Sequence, residues 1–292
     1  MDLLGKIDLH MHTTVSDGTD APEEIIARVR EAGIGLFSVT DHDSVKAGLM
    51  IPPLLEEGDP AFLTGVEFSC RDEEGKYHIL GYGFDLDAEP IRQLIQTGHR
   101  LRISKVRARL DYLKKEFGFS FPQEKLKELF ALDNPGKPHI ANLMVCLGYA
   151  ESKEQAIREY INRLRFRSEY VRPEAVISSI LDSGGIPVLA HPSFGDGDQL
   201  ILDEEMDRRL CHLMDFGLQG VEAFYSGFTP QLTKAMLSFA ERYNLYVTAG
   251  SDYHGRNKLV QLGDTGLGNP DEWPEGLHKF LSDIDKKVRS GA

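Results

Sequence analysis

Seven short apolar and β-branched runs recur along the chain, at residues 6–10, 35–40, 61–67, 77–84, 186–191, 219–225 and 245–250. Several are nearly continuous apolar stretches of strand length, the pattern of parallel strands covered on both faces. Amphipathic stretches separate them. Asp20-Ala-Pro-Glu23 reads as a capping-box helix start with Pro22 in the first turn, and Ile25, Ile26 and Val29 follow on one face. Strands alternating with helices indicate an α/β fold with parallel connections. Seven strands fit a barrel of the TIM type with one unit short.

The segment 92–167 breaks that rhythm. Val106, Leu110, Leu113 and Phe117 keep helical spacing, as do Ile140, Leu143, Met144 and Leu147. A further helix starts at a Ser152-Lys-Glu-Gln155 capping box and carries Ile157, Tyr160, Ile161 and Leu164. The expected organisation is therefore a first barrel part over 1–91, an all-helical insertion over 92–167 and a second barrel part over 168–292.

Charge sets the same segment apart. Residues 92–170 hold 16 Lys+Arg against 9 Asp+Glu, whereas the whole chain carries −13. A basic element in an acidic chain suits an anionic partner, although a solvated helical surface would look the same. The acidic total and the lack of a duplex-binding motif speak against duplex DNA. The first residues do not read as a signal peptide, and no apolar stretch is long enough to cross a bilayer. Cys70, Cys146 and Cys211 are odd in number and widely spaced, so no disulfide framework is expected. These features together read as a cytoplasmic protein without a membrane partner.

The residues that carry chemistry stand at the strand ends. The first run leads into His10-Met11-His12, whose period-two spacing puts both imidazoles on one side of the chain. Asp17 follows in a Ser-Asp-Gly turn. The second run leads into Thr40-Asp41-His42-Asp43, the third ends at Glu67, the fifth at His191-Pro192 and the seventh at Ser251-Asp252-Tyr253-His254. His78 is the exception, near the start of its run. In barrel enzymes the active site is built at the carboxyl ends of the strands. Neutral imidazoles with carboxylates are the donors that Zn²⁺, Mn²⁺ or Fe²⁺ require. Singly, each motif has an ordinary reading: His-x-His as a half-buried strand, Asp43 as a turn or cap. A carboxylate at Glu67 after an apolar strand is costly to bury unpaired. His99, His212 and His278 match no motif and read as structural or surface residues.

In that order the motifs resemble the PHP (polymerase and histidinol phosphatase) family, over residues 7 to about 255 apart from the insertion. The phrases DLHMHTTVSDG, HILGY, GKPHIA and VLAHP are most similar to its metal-dependent phosphoesterases, a subgroup that includes enzymes acting on nucleoside 3′,5′-bisphosphates and on 5′ ends of short RNAs. The resemblance implies a distorted (β/α)₇ TIM-like barrel with two or three divalent ions (Mn, Zn or Fe). It places His10, His12, Glu67 and Asp252 on the first metal, and Glu67, His78 and His191 on the second. Asp17, His42 and His254 fall on the third. Asp8, Asp41 and Asp43 would orient imidazoles. Lys137 stands where the subgroup usually has arginine, a point charge instead of a bidentate fork.

The implied reaction is attack on a phosphate ester by metal-bound hydroxide. His191, His254 and Asp252 are the candidate catalytic residues, and the sequence does not choose between His191, His254 and a metal-bound water as the leaving group's proton donor. Lys105, Lys137, Arg165 and Arg167 are candidate phosphate clamps, each with the alternative of a solvated surface cation. His139 either faces the site or opens its helix. The expected partner is a small phosphorylated substrate, a nucleoside 3′,5′-bisphosphate or a short 5′-phosphorylated oligonucleotide, with oligomeric state left open. Histidinol phosphate, amidohydrolase-type cleavage of a non-phosphate ester and a non-catalytic metal-binding module are the rival readings.

Overall fold

The computed structural model describes residues 5–166, 170–195 and 199–290. Its strands form two sheets. The first holds β1 (Lys6–Asp8), β2 (Ile34–Phe37) and β3 (Ala61–Phe62), all parallel. The second runs β4 (Gly65–Arg71), β5 (Lys76–Tyr82), β6 (Ile186–Leu189), β7 (Gly220–Tyr225) and β8 (Tyr246–Gly250) in that order. Backbone hydrogen bonds connect the sheets at two places. Leu9 N donates to Ala249 O at 2.9 Å and His12 N to Tyr253 O at 2.8 Å, while Asp43 N donates to Glu67 O at 2.9 Å. The fold is mixed α/β, as the alternation of elements implied.

Two expectations about the strands change. The run 61–67 is not one strand ending at Glu67: the chain leaves the first sheet after β3, and β4 continues past Glu67 to Arg71. An apolar run does not reveal where its hydrogen-bond partner switches. At the switch Gly65 passes close to the chain beyond β2, where a Cβ would stand 2.2 Å from Ser38 Oγ. The strands are also not all parallel, because β5 is antiparallel to both β4 and β6. The cause lies in the four residues between β4 and β5. Asp72 Oδ1 accepts from Glu74 N and Gly75 N at 2.9 and 3.1 Å, which closes a tight turn, and a parallel crossover needs a dozen or more residues.

Helix α1 (Pro22–Glu31) buries Ile25, Ile26 and Val29 as its spacing predicts. Its cap lies one residue later than expected: Ala21 N donates to Glu24 Oε2 at 2.8 Å, and the Asp20 carboxylate instead accepts from Tyr253 and Arg28. After a short α2 (Lys46–Met50), the helical stretch opens with α3 (Glu89–Phe117), ended by Gly118 at φ 70°. It continues through α4 (Gln123–Ala131), α5 (Lys137–Cys146) and α6 (Lys153–Gln155). Ser152 caps α6, accepting from Gln155 N at 3.1 Å, but Gln155 receives Glu151 N instead of completing the box. One turn of π-helix and one of 3₁₀ follow, up to Arg163.

The far half of α3 supplies Val106, Leu110 and Leu113 to an apolar cluster with Leu129, Ile140, Met144 and Ile161, separate from the clusters around the strands. Its near half, through Ile91 and Leu94, packs on the core under β4 and β5. Helices α7 (Pro173–Asp182), α8 (Asp203–Asp215) and α9 (Pro230–Arg242) cover the second sheet. Helix α10 (Glu275–Ser290) seals its end, with buried Phe280 edge-on to Tyr82 at 5.5 Å and to Tyr246 at 6.0 Å. Phe280→Ala should therefore destabilise the protein by about 3–5 kcal/mol in urea unfolding, since a fully enclosed aromatic leaves a cavity.

Candidate metal centre and its cleft

All nine residues expected as ligands converge. The chain beyond β1 brings His10 and His12 together, with their Nε2 atoms 3.2 Å apart. Glu67, in the middle of β4 and 1 % exposed, faces both: its Oε2 lies 3.5 Å from His10 Nε2 and 3.2 Å from His12 Nε2. The same oxygen is 3.0 Å from His42 Nδ1, and Oε1 is 2.8 Å from His78 Nδ1 and 3.1 Å from His191 Nε2. The reversed direction of β5 explains His78: the start of an antiparallel strand lies beside the carboxyl ends of its neighbours. Asp252 Oδ1 stands 3.5, 3.4 and 3.3 Å from His10, His12 and His254. Asp17 lies 3.3 Å from His254 Nε2, 3.7 Å from His12 Nδ1 and 3.9 Å from His42 Nε2.

Three sets of ligand atoms are close enough to share an ion: His10, His12 and Glu67; His42, Glu67 and His78; and His12, Asp17, His42 and His254. None repeats an implied set in full: the first lacks Asp252, the second has His42 in place of His191, and the third adds His12 to Asp17, His42 and His254. The spacings fit a metal site, because ligands about 2.1 Å from an ion stand about 3.4 Å from one another in tetrahedral geometry. The buried His42 Nδ1 is a further sign. It is out of line for a hydrogen bond to Glu67 and has no other partner among the described residues. Backbone strain collects here as well, since His191 and Asp252 sit at φ 29° and 57°.

Electrostatics agree with a cation requirement. Burial works against charge on His12, but Asp252 and Glu67 outweigh it and push its pKa up to about 9. His10 rises well above its usual value against the same burial, beside Glu222, Glu67 and Asp252. Burial pushes His78 down to about 4, leaving a neutral donor. The Asp252 carboxyl is held well below the usual range although burial opposes it, chiefly by the Lys258 ammonium and His10. Protons on two imidazoles thus offset buried carboxylates that divalent ions would neutralise.

Beside these residues opens a cleft of about 240 Å³. Asp17, His42 and His78 form one side, and Arg102, Lys105, Arg109 and Lys137 line it from the helical stretch. Lys105 Nζ sits 3.7 Å over the Tyr170 ring, and Lys137 Nζ donates to Asn162 at 2.6 Å. Arg165 lines a smaller adjoining pocket with Arg71, Arg109 and Lys137. His139 Nδ1 accepts from Gly136 N at 3.0 Å, so it closes the start of its own helix. Arg167 lies outside the described residues.

With that geometry in place, comparison with known proteins decides the family. A PHP domain model matches residues 8–169. The chain belongs to the PHP domain family. Three curated relatives span nearly their full lengths. A phosphoribosyl 1,2-cyclic phosphate 1,2-diphosphodiesterase of Eggerthella lenta is 30% identical, over 85% of this chain and 94% of its own. The 5′-3′ exoribonuclease Rnm of Salmonella typhimurium is 29% identical, over 88% and 87%. A 3′,5′-nucleoside bisphosphate phosphatase of Chromobacterium violaceum is 24% identical, over 98% of both chains. Among solved structures, a Bifidobacterium adolescentis protein described as a metal-dependent phosphoesterase matches with TM-score 0.78 and 26% identity, over 94% of this chain and 95% of its own. This PHP protein is a metal-dependent phosphoesterase with a divalent-metal centre.

Of the three carboxylates expected to orient imidazoles, Asp41 reaches one through a hydroxyl, and Asp8 and Asp43 take other partners. Asp8 accepts from Ser251 N and Gly263 N at 2.9 and 2.8 Å, bracing backbone. Asp41 accepts from Thr13 and from Ser16, whose Oγ stands 3.4 Å from His12 Nδ1, and Asp43 pairs with Arg102 at 2.6 Å. Three other imidazoles are oriented by Glu222 (His10 Nδ1, 2.9 Å), Ser69 (His78 Nε2, 3.2 Å) and the Asp252 carbonyl (His254 Nδ1, 2.8 Å). Glu222 also accepts from His191 N at 2.8 Å. It was legible in principle: a carboxylate inside the apolar run GVEAFY raises the same question as Glu67. Arg102, Tyr225 and Lys258 carried no such signal. Glu222→Gln leaves only one acceptor oxygen for two donors, and should weaken Mn²⁺ or Zn²⁺ binding by about 10–100-fold in calorimetric titration.

Proposed function

We propose that this PHP phosphoesterase removes phosphate from small anionic substrates bearing more than one phosphate, or a phosphate on a short chain. Nucleoside 3′,5′-bisphosphates and short 5′-phosphorylated oligonucleotides are the class. One observation carries the reading: a single cleft joins the candidate metal ligands to the cations of the helical stretch. Arg109 strengthens it, because its buried Nε has no hydrogen-bond partner among the described residues, and burial lowers its pKa only to about 10, so it stays charged at neutral pH. That guanidinium, lying over the Phe166 ring, keeps one N–H for an anion. The names of the exoribonuclease and bisphosphate phosphatase relatives point to the same chemistry.

In this reading His10, His12, Glu67 and Asp252 hold one ion, Glu67, His78 and His191 a second, and Asp17, His42 and His254 a third, with Mn, Zn or Fe the metals that suit the donors. When bound, they supply Lewis acidity that activates water and neutralises phosphoryl oxygens. Lys105, Lys137, Arg102 and Arg109 grip the non-reacting phosphate, and Arg165 extends that surface. His191 or His254 carries a proton to the leaving oxygen. Asp252 keeps the centre anionic, with Tyr225 donating to its Oδ2 at 2.9 Å and Lys258 to the same oxygen. In this reading the two sheets make up a distorted barrel, with the helical stretch from α3 to α6 as its cap. Three free thiols, Cys70, Cys146 and Cys211, favour a cytoplasmic setting. No helix among the described residues is long and apolar enough to cross a membrane.

Inorganic phosphate release from adenosine 3′,5′-bisphosphate by Mn²⁺-loaded protein tests the reading. Turnover should vanish on chelation, return with Mn²⁺, and fall by a factor on the order of 10³ or more in His12→Ala, which loses a ligand of the first ion. Faster release from histidinol phosphate would overturn the substrate assignment. Lys105 gives a second check. Burial, then the neighbouring Arg102, lowers its pKa to about 7, so its positive charge is lost as pH rises through neutrality. KM for the bisphosphate should increase above pH 7, and Lys105→Ala should raise KM by roughly tenfold at pH 6 while flattening that rise.

A further inference from the structure

The metal centre has a second flank, marked by His191 and Asp252, and it is aromatic instead of cationic. The His191 ring faces Tyr225 at 5.6 Å, and Tyr225 donates its hydroxyl to Asp252. Phe194 lies 5.8 Å from Tyr225 and 5.7 Å from Phe228, and Tyr225 lies 5.3 Å from Phe228. Phe194 is nevertheless 40 % exposed, and Leu200, bridged to it through the backbone, is 50 % exposed. A single exposed apolar residue needs no explanation. Three clustered rings that touch both an imidazole and a carboxylate partner of a hydrolytic centre, with one ring open to solvent, do.

We infer that Phe194, backed by Tyr225 and Phe228, is the platform on which the nucleobase of the substrate stacks. The inference rests on the reading of the substrate as a nucleotide and deepens it. The reacting phosphate would sit at the metal centre, with the second phosphate on the cationic flank and the base on the aromatic one. The cluster offers π-faces, and its one polar group, the Tyr225 hydroxyl, is engaged by Asp252. Stacking therefore accepts any base without selecting among them.

Calorimetric titration of the Mn²⁺-loaded protein with adenosine 5′-monophosphate and with ribose 5-phosphate isolates the base. The first should bind at least about tenfold tighter in the wild type. Phe194→Ala should remove most of that gap and leave ribose 5-phosphate binding unchanged, and Phe194→Trp should restore the gap. Equal affinity of the two ligands in the wild type would overturn the proposal, as would equal weakening of both in Phe194→Ala. If adenosine 3′,5′-bisphosphate yields no phosphate while the gap and its loss are both seen, the substrate assignment fails and the platform stands.

Discussion

Glu67, almost without solvent exposure, lies within 3.5 Å of five imidazoles, those of His10, His12, His42, His78 and His191. Such a carboxylate in an apolar sheet is tolerable only when paired, and the arrangement of the strands supplies its partners from four directions. The chain beyond β1 brings His10 and His12, the extension of β2 brings His42, the reversed β5 brings His78, and the end of β6 brings His191. Removing the turn at Asp72–Gly75 would remove the antiparallel strand, and with it one partner of this carboxylate. Metal-site chemistry and fold topology are here the same constraint.

That constraint reaches outward through groups that touch no candidate ion. Glu222 holds His10 and the backbone of His191 at once, which ties β7 to both β1 and β6. Gly250 shows how tightly this is packed: a Cβ there would come within 2.2 Å of His10 Cβ and 2.4 Å of Glu222 Oε1. The left-handed conformations of His191 and Asp252 persist because their backbone N–H groups are taken by Glu222 and by His10 O.

The helical stretch is fixed to this centre by specific bonds as well as by apolar contact. Arg102 on α3 grips Asp43, and Asn134 donates to the carbonyl of His42. The cations that line the cleft are thus held in register with the strand end that carries His42.

Reading residues alone determined a good deal. The strand-length apolar runs defined an α/β chain, helical spacing marked α3 and α5, and the His and carboxylate motifs named the residues that converge. Those inferences succeed because periodicity and donor chemistry are local properties. What escaped was non-local. His78 looked misplaced until strand direction was known, and the run 61–67 hid a change of sheet. Asp8 and Asp43 had the right chemistry for orienting imidazoles but face backbone and an arginine instead, and Asp41 reaches His12 only through Ser16. Glu222, Arg102 and the rings around Phe194 gain their meaning only from neighbours far away in sequence. The sequence by itself determined which donors the site has; tertiary structure decided which of them meet, because a hydrogen bond or a shared ion is settled by ångströms across strands that the order of residues does not encode.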